Sequence, residues 1–289
     1  MVEKTPNDRD LISIITICFN AEQNIAKTME SVLNQTYHNI EYIIKDGKSL
    51  DRTNEIIEQY KEKFEKKGIR FLHIIQEDQG IYDAMNQAIN SITGQYVIYM
   101  NADDIFFDNY VLESIFSNQN HESDILYGDS VCEYEFIKGK KEYTLWQGQH
   151  YSFSTMPFSH QACFVRAELM KQYQYDLRFS SASDYHLLAR FLVDGRSFCN
   201  ICRIVALCTM NGISNIEIQR SYKETVQVKQ ELNMEEFLSK DTQFNMWLME
   251  IKQWILKTLP HAFVGQLLRL QMRRKGKRIY KNLEDIQSN

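Results

Sequence analysis

The stretch that decides the fold is Gln95–Asp104, QYVIYMNADD. A run of β-branched and aromatic residues, Tyr96-Val97-Ile98-Tyr99-Met100, ends abruptly and two adjacent carboxylates follow, Asp103 and Asp104. Short apolar runs rich in Val, Ile and Tyr read as buried strands. Acids just past the carboxyl end of such a strand stand where open α/β sheets bind ligands. Neighbouring carboxylates repel each other, and a hard divalent cation with oxygen ligands relieves that repulsion. Mg2+ or Mn2+ held there would in turn hold a pyrophosphate. An isolated Asp-Asp fits a solvated strand-ending turn better, so the neighbouring sequence has to decide.

Upstream, Leu11–Phe19 is a continuous apolar run, and turn residues Asn20–Asn24 precede a helical pattern through Ile25, Met29, Val32 and Leu33. Ile40–Lys45 is a second strand, closed by Asp46-Gly47. Asp51 or Thr53 caps a helix through Ile56, Ile57, Tyr60 and Phe64. Ile69–Gln76 is a third strand, and Gly80 opens a helix through Ala84, Met85, Ala88, Ile89 and Ile92. Strands alternating with helices mean βαβ units and a parallel sheet. Parallel strands end on one rim, so Asp46, Glu77, Asp78, Asp103 and Asp104 share an edge. No glycine-rich GxGxxG or Walker-type loop follows any strand, which disfavours dinucleotide dehydrogenases and P-loop enzymes. An acidic rim suits cations, ribose hydroxyls and the N–H edge of a base, and a nucleotide bound there needs a metal bridge.

Downstream the pattern loosens. Leu126–Tyr134 and Glu142–Trp146 read as antiparallel strands and Gln161–Val165 as another. FSSASDYHLLARFL, residues 179–192, reads as an amphipathic helix opened by a Ser cap. Residues 199–210 form a further apolar run. After Ser214 the chain reads as helical, with Trp247, Ile251, Trp254 and Ile255 at helical spacing, broken at Pro260 and resumed from Phe263 towards Arg278. The expected division is a main unit over 1–225, with a nucleotide-binding type of half at 11–107 and a second half at 108–225, and a helical extension at 226–289.

The 289 residues, 44% apolar and 25% charged, are enough for a full core and belong to a globular chain. The net charge of −5 conceals an asymmetry: nine Lys or Arg and no acid lie between Ile251 and Leu283. The remaining body is acidic, which argues against nucleic acid as its partner. Six Cys are scattered, mostly in apolar surroundings, and the single Cys199-x-x-Cys202 lacks a second ligand pair at zinc spacing. MVEKTPNDRD has no apolar signal region and no run of 18 apolar residues occurs, so the chain is expected to be cytoplasmic. Trp and Leu on one face of the tail with Lys and Arg on the other is the composition of interfacial helices. Peripheral association with the inner membrane face therefore stands open, as does packing on the body or in a homodimer.

Six segments in order resemble the large inverting family-2 glycosyltransferases of GT-A fold and bacterial surface-polysaccharide type. They are ISIITICFN, IIKDGKSLDRT, QEDQGIYDAMNQAI, YMNADD, SHQACFVR and SASDYHLLARF, and they span roughly residues 11–225. The resemblance implies an α/β mixed sheet flanked by helices and a nucleotide-diphosphate sugar donor, a UDP-sugar, for an enzyme that transfers the sugar. It implies a glycan or lipid-linked acceptor and Mn2+ or Mg2+ as cofactor. It assigns Asp46 to the nucleobase, Asp103 with Asp104 to the metal, and Asp184 to the catalytic base. Asn101 stands where many relatives have an acid, and its amide oxygen can still accept a hydrogen bond from a metal-bound water or a ribose hydroxyl. Asp83 fits a donor contact or a first-turn helix acid, and His160 fits the acceptor pocket or a structural role. A sugar-phosphate nucleotidyltransferase should carry a basic glycine-rich loop that ICFNAEQN lacks; an inactive sugar-binding homologue would be expected to have lost Asp103 or Asp184.

Overall fold

The computed structural model describes residues 10–117, 121–137, 139–148, 153–209, 218–238, 242–259, 261–274 and 276–287. The amino-terminal residues 1–9, Ser214, Pro260 and Lys275 lie outside them.

The first half follows the expected alternation: β1 (Ile12–Cys18), α1 (Ile25–Leu33), β2 (Ile40–Asp46), α2 (Thr53–Lys66), β3 (Arg70–Ile75), α3 (Ile81–Ile89) and β4 (Tyr96–Tyr99). β3, β2, β1 and β4 lie side by side and parallel. Strands with both faces covered need apolar residues at every position, not at alternate ones. β1, β2 and β4 are accordingly buried along their whole lengths. The polar exceptions are paired: buried Glu41 accepts hydrogen bonds from Ser13 Oγ, the Thr93 and Gly94 amides and Thr93 Oγ1, and pairs with Arg70.

The second half adds β5 (Ile105–Phe106), α4 (Val111–Phe116), β6 (Ile125–Ile137), β7 (Lys140–Trp146), β8 (Cys163–Arg166), α5 (Ala167–Tyr173), α6 (Ser183–Val193) and β9 (Phe198–Thr209). It extends the same sheet as β4-β8-β6-β9-β5, with β7 on β6. β7 and β8 are antiparallel to β6 as the sequence suggests, whereas β9 runs parallel to β6. One apolar layer packs α1, α2 and α4 on one face (Met29, Ile57, Phe64, Leu112). The other packs α3, α5 and α6 on the opposite face (Met85, Met170, Leu187, Phe191).

Among the described residues, the α-helices that follow are α7 (Ile218–Glu231), α8 (Thr242–Thr258), α9 (His261–Arg274) and α10 (Glu284–Gln287). α7 runs straight through residue 225, where the sequence reading ends the catalytic unit, and Val226, Val228 and Lys229 are buried beyond it. α9 docks on β6, where a Cβ on Gly265 would meet the Phe136 carbonyl, so only a residue without one lets the two backbones approach this closely. Arg269 pairs with Glu142, Tyr280 bridges to Tyr143, and Ile286 packs with Val131 and Leu207. The second tail helix is thus partly a packing element, yet Phe263, Leu267 and Leu270 remain exposed on it. Among the described residues no helix is long and apolar enough to cross a membrane.

Candidate active site

β4 delivers the chain to the rim at Met100, and the next four residues, Asn101–Asp104, are shaped by α1. Buried Thr28 Oγ1 donates to the Asp104 carbonyl at 2.9 Å and accepts from the Asp103 amide at 3.1 Å. Asp103 sits at φ +91°, a region that side chains with a Cβ rarely adopt. Such strain persists only where its surroundings over-determine it and clusters at functional sites. Thr209, at the end of β9, completes the restraint by donating from Oγ1 to Asp103 Oδ2 at 2.7 Å.

Asp104, beside it on the cavity wall, is the more buried of the two. It is 6% exposed and accepts from Gln161 Nε2 at 3.0 Å. Burial pushes its carboxyl up to about 6, against the opposing pull of the Gln161 hydrogen bond and nearby His160. The Asn101 Oδ1 atom is buried without a hydrogen-bond partner.

Asp184, in the first turn of α6, lines the same cavity of about 560 Å3. That volume is ordinary for a small-molecule site. Asp184 Oδ1 accepts from the Tyr185 amide at 2.8 Å and from the Tyr82 hydroxyl at 3.2 Å, and Oδ2 lies 3.4 Å from His160 Nδ1. Burial raises the Tyr82 hydroxyl well above its usual range, with the Asp184 charge adding to the effect, so Tyr82 remains a donor. Its ring stacks on Tyr175 at 5.3 Å.

The expected Ser cap on α6 is not what forms. Ala182 occupies the cap position with no side-chain hydrogen bond. Glu224 of α7 instead accepts from the amides of Ser180, Ser181 and Ala182 at 3.1, 2.7 and 2.9 Å. A carboxylate supplied by a distant helix thus holds the start of the helix that carries Asp184.

The cavity brings together Asn101, Asp103, Asp104, His160 and Asp184, and neither Asp46 nor Asp83 is on its wall. Asp46, fully buried at the end of β2, accepts from the Ser49 amide at 2.7 Å, Ser49 Oγ at 2.5 Å and Asn54 Nδ2 at 3.3 Å. Beside this turn Phe19 is 62% exposed, an aromatic the sequence reading passed over as part of a buried strand. Asp83 accepts from the Gln79 amide at 2.8 Å and Gln87 Nε2 at 3.1 Å, clasping the loop before α3. Thr28, Tyr82, Gln161, Thr209 and Glu224 also carry no individual signal in the sequence. Of these, only Tyr82 and Gln161 lie inside the six segments that carry the family resemblance.

The donor set suits a hard cation. Among the described residues no three His, Cys, Asp or Glu gather to enclose a metal. One or two carboxylates with substrate phosphate oxygens completing the shell is the arrangement Mg2+ favours. Asp103 and Asp104, with the orphaned Asn101 oxygen beside them, fit that arrangement.

The model of the family described as Glycosyl transferase family 2 matches residues 13–174, more than half of the chain. Glycosyltransferase GlyA of Streptococcus pneumoniae is 31% identical over 121 residues, which are 42% of this chain and 17% of that protein. The putative teichuronic acid biosynthesis glycosyltransferase TuaG of Bacillus subtilis is 36% identical over 100 residues, 34% of this chain and 38% of that one. This chain thus spans well under two thirds of either relative. TarS of S. aureus, solved in complex with UDP-GlcNAc, superposes with a TM-score of 0.58 at 16% identity, over 84% of this chain and 71% of that one. The mannosyltransferase PcManGT of Pyrobaculum calidifontis, solved with GDP-Man and Mn2+, gives 0.60 at 14% identity, over 92% and 81%. At such identities the superpositions speak to fold alone, and they bear out the expected GT-A mixed sheet. With the family model covering most of the rim, the acceptor-side turn and the strands between them, the chain belongs to glycosyl transferase family 2.

Proposed function

We propose that this chain moves a sugar from a nucleotide-diphosphate donor, a UDP-sugar, to a hydroxyl of a glycan or lipid-linked acceptor, with inversion, in surface-polysaccharide synthesis. One observation carries the reading: a single cavity is lined by the strained, restrained Asp103, by Asp104 and by Asp184. Charge grows on the pyrophosphate as the anomeric bond breaks, and an acceptor hydroxyl is a poor nucleophile until a base takes its proton. Asp103 and Asp104 are assigned to the donor side and Asp184 to that proton. A divalent ion bound by Asp103 and Asp104 would supply Lewis-acid stabilisation of the departing pyrophosphate. Exposed Phe19, beside buried Asp46, is a platform for the donor's nucleobase, and Asp83 acts by holding the loop between β3 and α3. Names of similar proteins support the reading: one is named for teichuronic acid biosynthesis, and two structures hold nucleotide sugars.

The test is a panel of nucleotide sugars scored for hydrolysis and thermal stabilisation with Mn2+, Mg2+ or EDTA. The expected result is cation-dependent turnover of at least one UDP-sugar. Formation of a nucleotide sugar from nucleoside triphosphate and sugar phosphate would favour a nucleotidyltransferase, and binding without turnover an inactive homologue.

The tail supports a location at the cytoplasmic membrane face. On α8, Met249 lines the cavity while Trp247 and Trp254 are 53% and 63% exposed. Phe263, Leu267 and Leu270 on α9 continue the exposed apolar stripe, with Arg273, Arg274 and Lys277 following. Basic residues near an anionic surface contribute about 1 kcal/mol each. The chain is therefore expected to sediment with anionic liposomes, less so at high salt, and to lose most of that binding when Trp247 and Trp254 are both changed to Ser. Protein that stays in the supernatant at low salt and runs as a dimer would assign the stripe to a second copy instead.

A further inference from the structure

Two carboxylates with different duties approach the cavity from different elements, and one short turn meets both. Ser159 Oγ donates to Gln161 Oε1 at 2.5 Å, and Gln161 Nε2 donates to Asp104 at 3.0 Å. Between them His160 Nδ1 lies 3.4 Å from Asp184 Oδ2. The turn is well anchored. The Ala162 amide donates to the Ser159 carbonyl at 3.0 Å, Ala162 and Phe164 are fully buried, and the chain passes directly into β8 between β4 and β6.

We propose that the Ser159–Gln161 turn is a positioning bridge: Gln161 holds the donor-side carboxylate Asp104, and His160 aligns the Asp184 carboxylate on the acceptor hydroxyl. The proposal rests on the glycosyltransferase reading and deepens it. Its physical basis is the freedom of a carboxylate about its last torsion, which is broad and weakly preferred. The Tyr185 amide and Tyr82 hydroxyl both hold Oδ1 of Asp184, and His160 is the neighbour at Oδ2. Hydrogen bonds of catalytic groups are often long before the substrate binds, and 3.4 Å is within reach of one that tightens. Misplacing a reacting group by about 1 Å can cost a factor on the order of a hundred in rate.

The imidazole also says which nitrogen acts. His160 Nε2 is buried with no hydrogen-bond partner, and Nδ1 is the atom facing Asp184. An Asn side chain keeps an N–H near the Nδ1 position, whereas a Gln amide reaches towards Nε2. His160→Asn should therefore substitute where His160→Gln does not.

The experiment is steady-state kinetics of the full chain with a donor it turns over, alongside direct measurement of donor affinity. His160→Ala is expected to lower kcat about tenfold or more with donor Kd changed less than about twofold. His160→Asn should recover kcat to within about threefold of wild type, and His160→Gln should resemble Ala. Gln161→Leu should show its loss chiefly in donor KM, as expected for the opposite end of a bridge. Wild-type kcat in His160→Ala, or equal losses in the Asn and Gln variants, would overturn the bridge and leave the enzyme reading standing. If His160→Ala fails to fold, the Asn–Gln comparison alone decides. A wild-type chain that turns over no nucleotide sugar would overturn the enzyme reading and the bridge together.

Discussion

Asp184→Asn is expected to lower kcat by ~10²-fold or more while leaving donor affinity nearly intact. An amide matches the carboxylate in shape and can still accept the Tyr185 amide and the Tyr82 hydroxyl through its oxygen. What it cannot do is take a proton from an incoming hydroxyl. Packing should therefore change little, and the loss should fall on the chemical step rather than on binding. Kinetics at saturating donor, with Kd from calorimetry, check this. If donor affinity collapsed while kcat held, Asp184 would belong to the donor site and the cavity would have to be read in the opposite sense.

Asp103→Ala is expected to abolish turnover and most cation-dependent donor affinity in a protein that remains folded. The side chain is tied to Thr209 and its amide to Thr28, so truncation removes one hydrogen bond, worth about 1 kcal/mol. It also leaves a Cβ at φ +91°, a conformation Asn tolerates better than Ala. Asp103→Asn therefore separates charge from backbone: it should be better folded than the Ala variant and still fail to turn over. Thermal melts and donor titrations with and without Mn2+ provide the readout. Normal turnover in either variant at saturating donor would remove Asp103 from the metal-binding role.

Local pattern made the donor half legible. β1, α1, β2, α2, β3, α3 and β4 are each announced by an apolar run or a helical period, and turn residues separate them. The strand-end acids Asp103 and Asp104 could be found for the same reason. What the sequence could not show depends on pairing over long separations. β5 is two residues long, too short to carry a period, and β9 is parallel to β6 through a register known only once both are in place. The Ser cap expected on α6 lost to Glu224, whose carboxylate approaches three amides some forty residues away. Gln161 reaches Asp104 only because β8 inserts beside β4. The tail's apolar stripe was legible as a composition, whereas the docking of α9 through Gly265 depends on the path of β6.

Inverting transfer proceeds by a single in-line displacement, with the base on the face opposite the leaving pyrophosphate. The configuration of the first-formed product tests it most directly. With a UDP-α-sugar that the chain turns over, NMR of the product as it appears, before any anomeric equilibration, is predicted to show the β anomer. A first-formed α product would mean retention, and would contradict the assignment of Asp184 as the base for direct attack.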